Sequence, residues 1–204
     1  MNLFANPQYN NYFLKGGSTA KPIVGVCLET AYNKPLNQAK VIEDNLMQGY
    51  PIILKNTSLS SSNSNNDGLS GNVFTAENII TTITVDTQVQ NSTTSINGFI
   101  VNSPNDILLD GDTFPRYLKN QVVRVAVLGS GAALYLPVDS TYNDVSLETT
   151  LKWDLTNKCL STNGQVELPG VRIGGQVVNG LIPYFDDINK KALSKEGLVL
   201  RVIL

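Results

Sequence analysis

The chain is punctuated by short runs in which Val, Ile, Leu, Thr and aromatic residues crowd together, several of them alternating apolar with polar positions. Such runs suit pleated strands, because successive side chains point to opposite faces of a sheet and branched residues pack well on it. Strands are predicted at 22–28, 50–54, 79–85, 94–101, 121–128 and 132–137, with a last one at 197–204. The fold class that follows is all-β, a β-sandwich or barrel with hairpins, carrying at most one or two short helices and an extended N-terminal arm.

Turn chemistry adds connections. Gly129-Ser130-Gly131 predicts a hairpin joining 121–128 to 132–137. Asn163-Gly164 and Asn179-Gly180 predict two more, since Asn-Gly tolerates the positive φ angles of a two-residue turn. Between Pro35 and Gln48 the spacing changes: Leu36, Ala39, Ile42 and Leu46 recur as on a helix that Gly49 would cap, and the same stretch also reads as an extended excursion. The polar piece 186–195 reads as a turn of helix, with Asp186-Asp187 supplying N-terminal negative charge. The last strand ends on Leu204 without a polar tail, so it must be paired centrally or lent to a neighbour.

Residues 1–20 form the arm, and 21–204 a β-rich domain that reads as one unit or as two β subdomains with a boundary near 103–120. A long polar loop occupies 56–72, nearly all Ser, Asn, Asp and Gly. The arm holds Leu3, Phe4, Tyr9, Tyr12, Phe13 and Leu14 without regular period. A polar disordered tail would not carry four aromatics, so the arm is expected to lie on its own barrel or on a neighbouring subunit. Those six residues are the candidate partner-binding residues, aromatics being the usual hot spots of protein contacts.

Composition narrows the function. Of 204 residues, 42% are hydrophobic and only 16% charged, against roughly 25% charged in ordinary soluble domains. A surface rich in amides and hydroxyls suits contact with other proteins, because these groups desolvate more cheaply than ions. A net charge of −2 without a Lys/Arg run argues against nucleic acid, and no apolar stretch is long enough to span a membrane. The N-terminus lacks the basic and apolar regions of an export signal. His is absent, which removes the commonest general base and metal ligand. Cys27 and Cys159 are expected to be buried free thiols, in a chain made in a reducing cytoplasm, rather than a disulfide.

Candidate chemistry is sparse. Asp106, Asp110 and Asp112 cluster, but Asp110-Gly111 fits a turn better than a calcium loop, whose spacing is missing. Gly129-Ser130-Gly131 and Gly174-Gly175 lack the helix start of a phosphate cradle and read as β turns or bulges. Tyr135, Tyr142, Trp153 and Tyr184 are candidates for stacking on sugars, although a lone Trp among strand residues fits a core better. No catalytic residue, cofactor site or metal site is assigned, and the chain is not expected to be an enzyme.

The order of elements resembles that of bacteriophage structural cement proteins, the auxiliary head proteins of capsid decoration. The likeness is carried by Gly49-Tyr50-Pro51-Ile52-Ile53-Leu54, a variable loop, Ile96-Asn97-Gly98-Phe99-Ile100-Val101, the Val-rich runs 121–128 and 132–137, and an apolar closing strand. It spans residues 20–204, and departs from the pattern at Asn120, where such proteins often carry Gly, and in the long loop from Asn56. It implies a virion protein made in the host cytoplasm that binds the outside of a capsid and cements coat subunits, without catalysis or cofactor. Its implied partners are the major capsid protein and neighbouring copies of itself, as an oligomer on the capsid lattice, with no nucleic acid and no membrane. The alternative is a tail or head-fibre component or a carbohydrate-binding β module.

Overall fold

Apolar residues facing both ways at Phe99, Ile100 and Val101 demand apolar neighbours on two sides, and the chain supplies them with two packed layers. The fold comes from a computed structural model that describes residues 21–27, 37–41, 44–55, 80–84, 96–102, 106, 108–142 and 149–204. The arm residues 1–20, with Leu3, Phe4, Tyr9, Tyr12, Phe13 and Leu14, and the polar loop 56–72 lie outside the described residues.

Strands are numbered along the chain. Five close a barrel in the order β1 (Asn37–Val41), β4 (Ile80–Thr84), β3 (Pro51–Lys55), β5 (Gly98–Val101) and β7 (Val122–Val127), which returns to β1. Only the β1–β4 pair is parallel among these strands. A second sheet has the order β12 (Arg172–Asp186), β13 (Lys191–Ile203), β8 (Ala133–Pro137). Smaller sheets are β10 (Cys159–Leu160), β9 (Lys152–Asp154), β11 (Val166–Glu167), and the pair β2 (Leu46–Met47) with β6 (Arg116–Tyr117). The described residues are thus all-β, their one helical element being a 3-10 turn at Ser140–Tyr142.

Alternation along β5 and β7 sorts their side chains between two cores. Ile100, Val123 and Val125 join Val41, Leu46, Ile52 and Tyr117 in one cluster. Phe99, Val101 and Ala126 point the other way, into the larger cluster formed with β8, β9 and β13. Phe99 meets Trp153 there with ring centroids 5.4 Å apart at 57°, an edge-leaning geometry that adds to simple burial. Trp153 is only 1% exposed, so it is core.

The closing strand is central, with β12 on one side and β8 on the other, which protects its apolar residues from edge pairing. Residues 22–27 then stitch the outer edges of that sheet. Val24 N donates to Leu181 O at 3.0 Å and Leu181 N to Pro22 O at 2.8 Å on β12, while Gly25 N donates to Tyr135 O at 2.9 Å on β8. The segment crosses the β2–β3 turn so closely that neither Gly25 (φ 77°) nor Gly49 (φ 83°) has space for a Cβ. The buried Gln48 side chain locks the crossing by donating to Val24 O at 2.7 Å.

Several turn expectations are corrected. The 121–128 and 132–137 runs do not form a hairpin: Gly129 (φ 83°) and Gly131 (φ 69°) turn the chain from β7 in the barrel to β8 in the other sheet. Asn163-Gly164 joins β10 to β11, which do not pair with each other but flank β9. Gly164 is needed there for space, since a Cβ would lie 2.7 Å from the Trp153 carbonyl carbon. Asn179-Gly180 is no turn at all; both residues lie inside β12, paired with Leu198 and Gly197. The helix-like spacing before Gly49 is overridden, because 37–41 is strand β1 and closes the barrel between β4 and β7. No turn of helix follows Asp186: residues 187–190 are a tight turn and β13 begins at Lys191. Gly174-Gly175 falls in a register break between Ile173 and Val177, the bulge its sequence suggests.

Candidate functional site

Two hairpins end in the same local chemistry. In β9–β10 the loop 155–158 follows Asp154, and in β12–β13 the loop 187–190 follows Asp186. Asp154 Oδ1 accepts from Thr156 N at 2.8 Å and Asn157 N at 3.0 Å, while Asn157 Nδ2 donates to Oδ2 at 2.8 Å. Asp186 repeats the pattern with Ile188 N at 2.9 Å, Asn189 N at 3.3 Å and Asn189 Nδ2 at 2.7 Å. Each loop ends on a lysine, Lys158 or Lys190, at φ 54°. The sequence signal is Asp-x-x-Asn-Lys, present twice and missed by a search for Asn-Gly; the Asp side chain folds the turn by satisfying its free amides.

Burial alone would raise the Asp154 carboxyl, but the Asn157 and Thr156 donors outweigh it and hold it below the usual carboxylate range. Asp186 is lowered too, first by the Asn189 side chain and then by the Ile188 and Asn189 amides. Both carboxylates are therefore engaged in closing their turns.

Between these hairpins lies a cleft of about 350 Å³. Leu155, Asn157 and Lys158 come from one loop, Ile182, Pro183, Tyr184 and Phe185 from β12, and Pro137 and Val138 from the end of β8. Tyr50 and Pro51 form the wall on the barrel side, and Trp153 and Cys159 reach it from β9 and β10. Burial raises the Tyr50 hydroxyl above its ordinary value despite a hydrogen bond with the Phe185 backbone, and Asp187 adds to the rise. Two ammonium groups stand over the aromatic rim, Lys158 Nζ 5.8 Å from the Tyr50 ring centre and Lys195 Nζ 6.0 Å from that of Tyr184.

The one thiol lining the cleft is a poor nucleophile. Burial pushes Cys159 up to about 11, so it stays protonated at neutral pH. Cys27 and Cys159 are both free thiols.

The other sequence candidates have structural roles. Asp112 accepts from Ala192 N at 2.9 Å and pairs with Arg116 Nε at 2.9 Å, tying the 109–114 loop to β13 and β6. Gly111 (φ 78°) makes the turn, and Asp106 accepts from the Tyr117 hydroxyl at 2.9 Å. Among the described residues no group of three His, Cys, Asp or Glu comes together to hold a metal ion. Tyr142 is buried, its hydroxyl accepting from Lys152 N at 3.0 Å. Of the proposed sugar-stacking residues, Trp153 and Tyr184 share the cleft, Tyr135 and Tyr142 do not, and Trp153 offers almost no open face. The six arm residues lie outside the described residues.

No known protein family, curated protein or solved structure matches this chain.

Proposed function

We propose that the chain is a structural virion protein that binds the outside of a phage capsid and cements neighbouring coat subunits without catalysis. The observation that carries this reading is the anchorage of residues 22–27, where the arm joins the body. A cement protein must pass a pull on its attachment into a body that resists it. Here the backbone bonds of Val24, Gly25 and Leu181 fasten that segment to both outer edges of the β12–β13–β8 sheet. Further bonds, Asn102 N to Gly25 O at 3.1 Å and Cys27 N to Asn102 Oδ1 at 3.0 Å, fasten it to the end of β5 as well. Tension applied through the arm is then shared among several backbone hydrogen bonds, each worth about 1 kcal/mol net.

In this reading Phe4, Tyr9, Tyr12 and Phe13 grip the coat or an adjacent copy, and repetition over a lattice multiplies a modest contact. Removing residues 1–15 is expected to abolish binding to expanded heads while leaving the circular dichroism spectrum unchanged. Full retention of head binding would overturn the role of the arm. Stoichiometric recovery of the chain with coat protein in purified particles tests the class itself, and its absence from particles would refute it. The carbohydrate-binding alternative loses its main platform, because Trp153 packs on Phe99 rather than facing outward.

A further inference from the structure

We infer that the cleft between the two Asp-x-x-Asn-Lys hairpins is a docking site for an extended segment of a protein partner, one that places an aromatic side chain beside carboxylates. Its inner surface is apolar, with Pro137, Val138, Ile182 and Pro183 behind Tyr50 and Tyr184. At about 350 Å³ it sits at the small end of the range in which proteins bury ligands. That volume suits an aromatic side chain with its flanking backbone.

The rim supplies the charge preference. Some lysines of the chain meet carboxylates: Lys21 pairs with Glu196, Lys152 with Glu167 at 3.9 Å and Lys190 with Asp187 at 3.6 Å. Lys158 and Lys195 do not; among the described residues each stands over a tyrosine ring of the cleft and neither reaches a carboxylate. Two cations held over an apolar slot complement an aromatic group flanked by acids, and they disfavour a basic segment through like-charge repulsion. This chain's own arm carries Lys15 and no acidic residue, so it is the wrong occupant on charge.

The inference rests on the reading of the chain as a protein-binding module, but its test needs no particle. Trp153 is the sole tryptophan and lines the cleft, so its emission reports on occupancy in the full-length chain. The probes are acetyl-Asp-Glu-Phe-Asp-Glu-amide, acetyl-Lys-Lys-Phe-Lys-Lys-amide and a peptide of residues 1–15. The acidic peptide is expected to give a saturable change and to bind at least about tenfold tighter than the basic one. In the K158E/K195E double variant, altered only at exposed side chains, that order is expected to invert. Equal binding of the acidic and basic peptides, no emission change with the acidic one, an order unaffected by the double variant, or tighter binding of the 1–15 peptide would each overturn the proposal. Presence of the chain in virions together with a failed titration removes the cleft assignment and leaves the virion reading standing.

Discussion

Gly180 is where the fold and the anchorage of residues 22–27 meet. It lies buried in the middle of β12, opposite Gly197, and a Cβ there would stand 2.5 Å from Val199 Cγ2 and 2.7 Å from Pro22 O. Its backbone is not in the left-handed region, so Gly180→Ala tests space rather than φ. Overpacking of this kind costs about 1–3 kcal/mol. The side chain that must yield is Val199, and the backbone that must yield is Pro22, which takes with it the Leu181 N to Pro22 O and Val24 N to Leu181 O bonds, each worth about 1 kcal/mol. Alanine returns about 0.4–1 kcal/mol by restricting the unfolded chain. The balance is a loss of about 2–5 kcal/mol, which for a chain of this size lowers Tm by roughly 5–15 °C. Thermal melting reads the total, and amide exchange at Val24 and Leu181 reads the place. The exposed neighbour Asn179→Ala serves as control and should stay near the parent. If Gly180→Ala melts with the parent and Val24 exchanges as slowly as before, the stitched anchorage is not what holds residues 22–27.

Three other measurements probe the same framework. Asp112→Ala leaves Arg116, whose side chain is 17% exposed, without its ion-pair partner and orphans Ala192 N, and the expected cost is about 3 kcal/mol. Chemical denaturation should show part of it, the share due to the unpaired Arg116, recovered in Asp112→Leu/Arg116→Met, and a single variant as stable as the parent refutes the role given to the pair. The Asp154 and Asp186 carboxyls are lowered on folding, so their stabilising effect is complete above the unfolded value of about 3.9 and is lost as pH falls through the folded one. Carboxyl NMR titration should place both midpoints below about 3.9, and a midpoint at or above it contradicts the turn geometry. Cys159, raised by burial to about 11, should react with a disulfide reagent at pH 8 no faster than the protein opens, and rapid labelling in the native state would show the thiol to be misplaced.

The strands were legible in the sequence because β-branched runs answer directly to burial. Gly98-Phe99-Ile100-Val101 and Val122–Val127 stand where the pattern puts them, and the apolar closing strand is central, between β12 and β8. What the pattern could not carry is which strand meets which. Val122–Val127 and Ala133–Pro137 are neighbours in sequence with a glycine turn between them, yet they join different sheets, because the barrel needs β7 beside β1 and β5 while β8 is claimed by β13. The 35–48 stretch shows tertiary context overriding spacing, since the barrel can close between β4 and β7 only if 37–41 is extended.

Glycine misled for a physical reason that bears on the site. Asn-Gly was read as positive φ, but Gly164 and Gly180 are there because another backbone passes within a Cβ's reach. The hairpin tips are instead made by aspartates whose carboxylates close the loop on an asparagine three residues on, and their last residue is a lysine rather than a glycine. A glycine at position 158 would relieve the left-handed backbone but leave no ammonium group over Tyr50. Lys158 carries that backbone at φ 54° while its Nζ stands over Tyr50, so one residue serves both the turn and the rim. Sequence alone hides the cleft because its walls, Tyr50, Val138, Leu155 and Pro183, come from four distant stretches that meet only when both hairpins are in register.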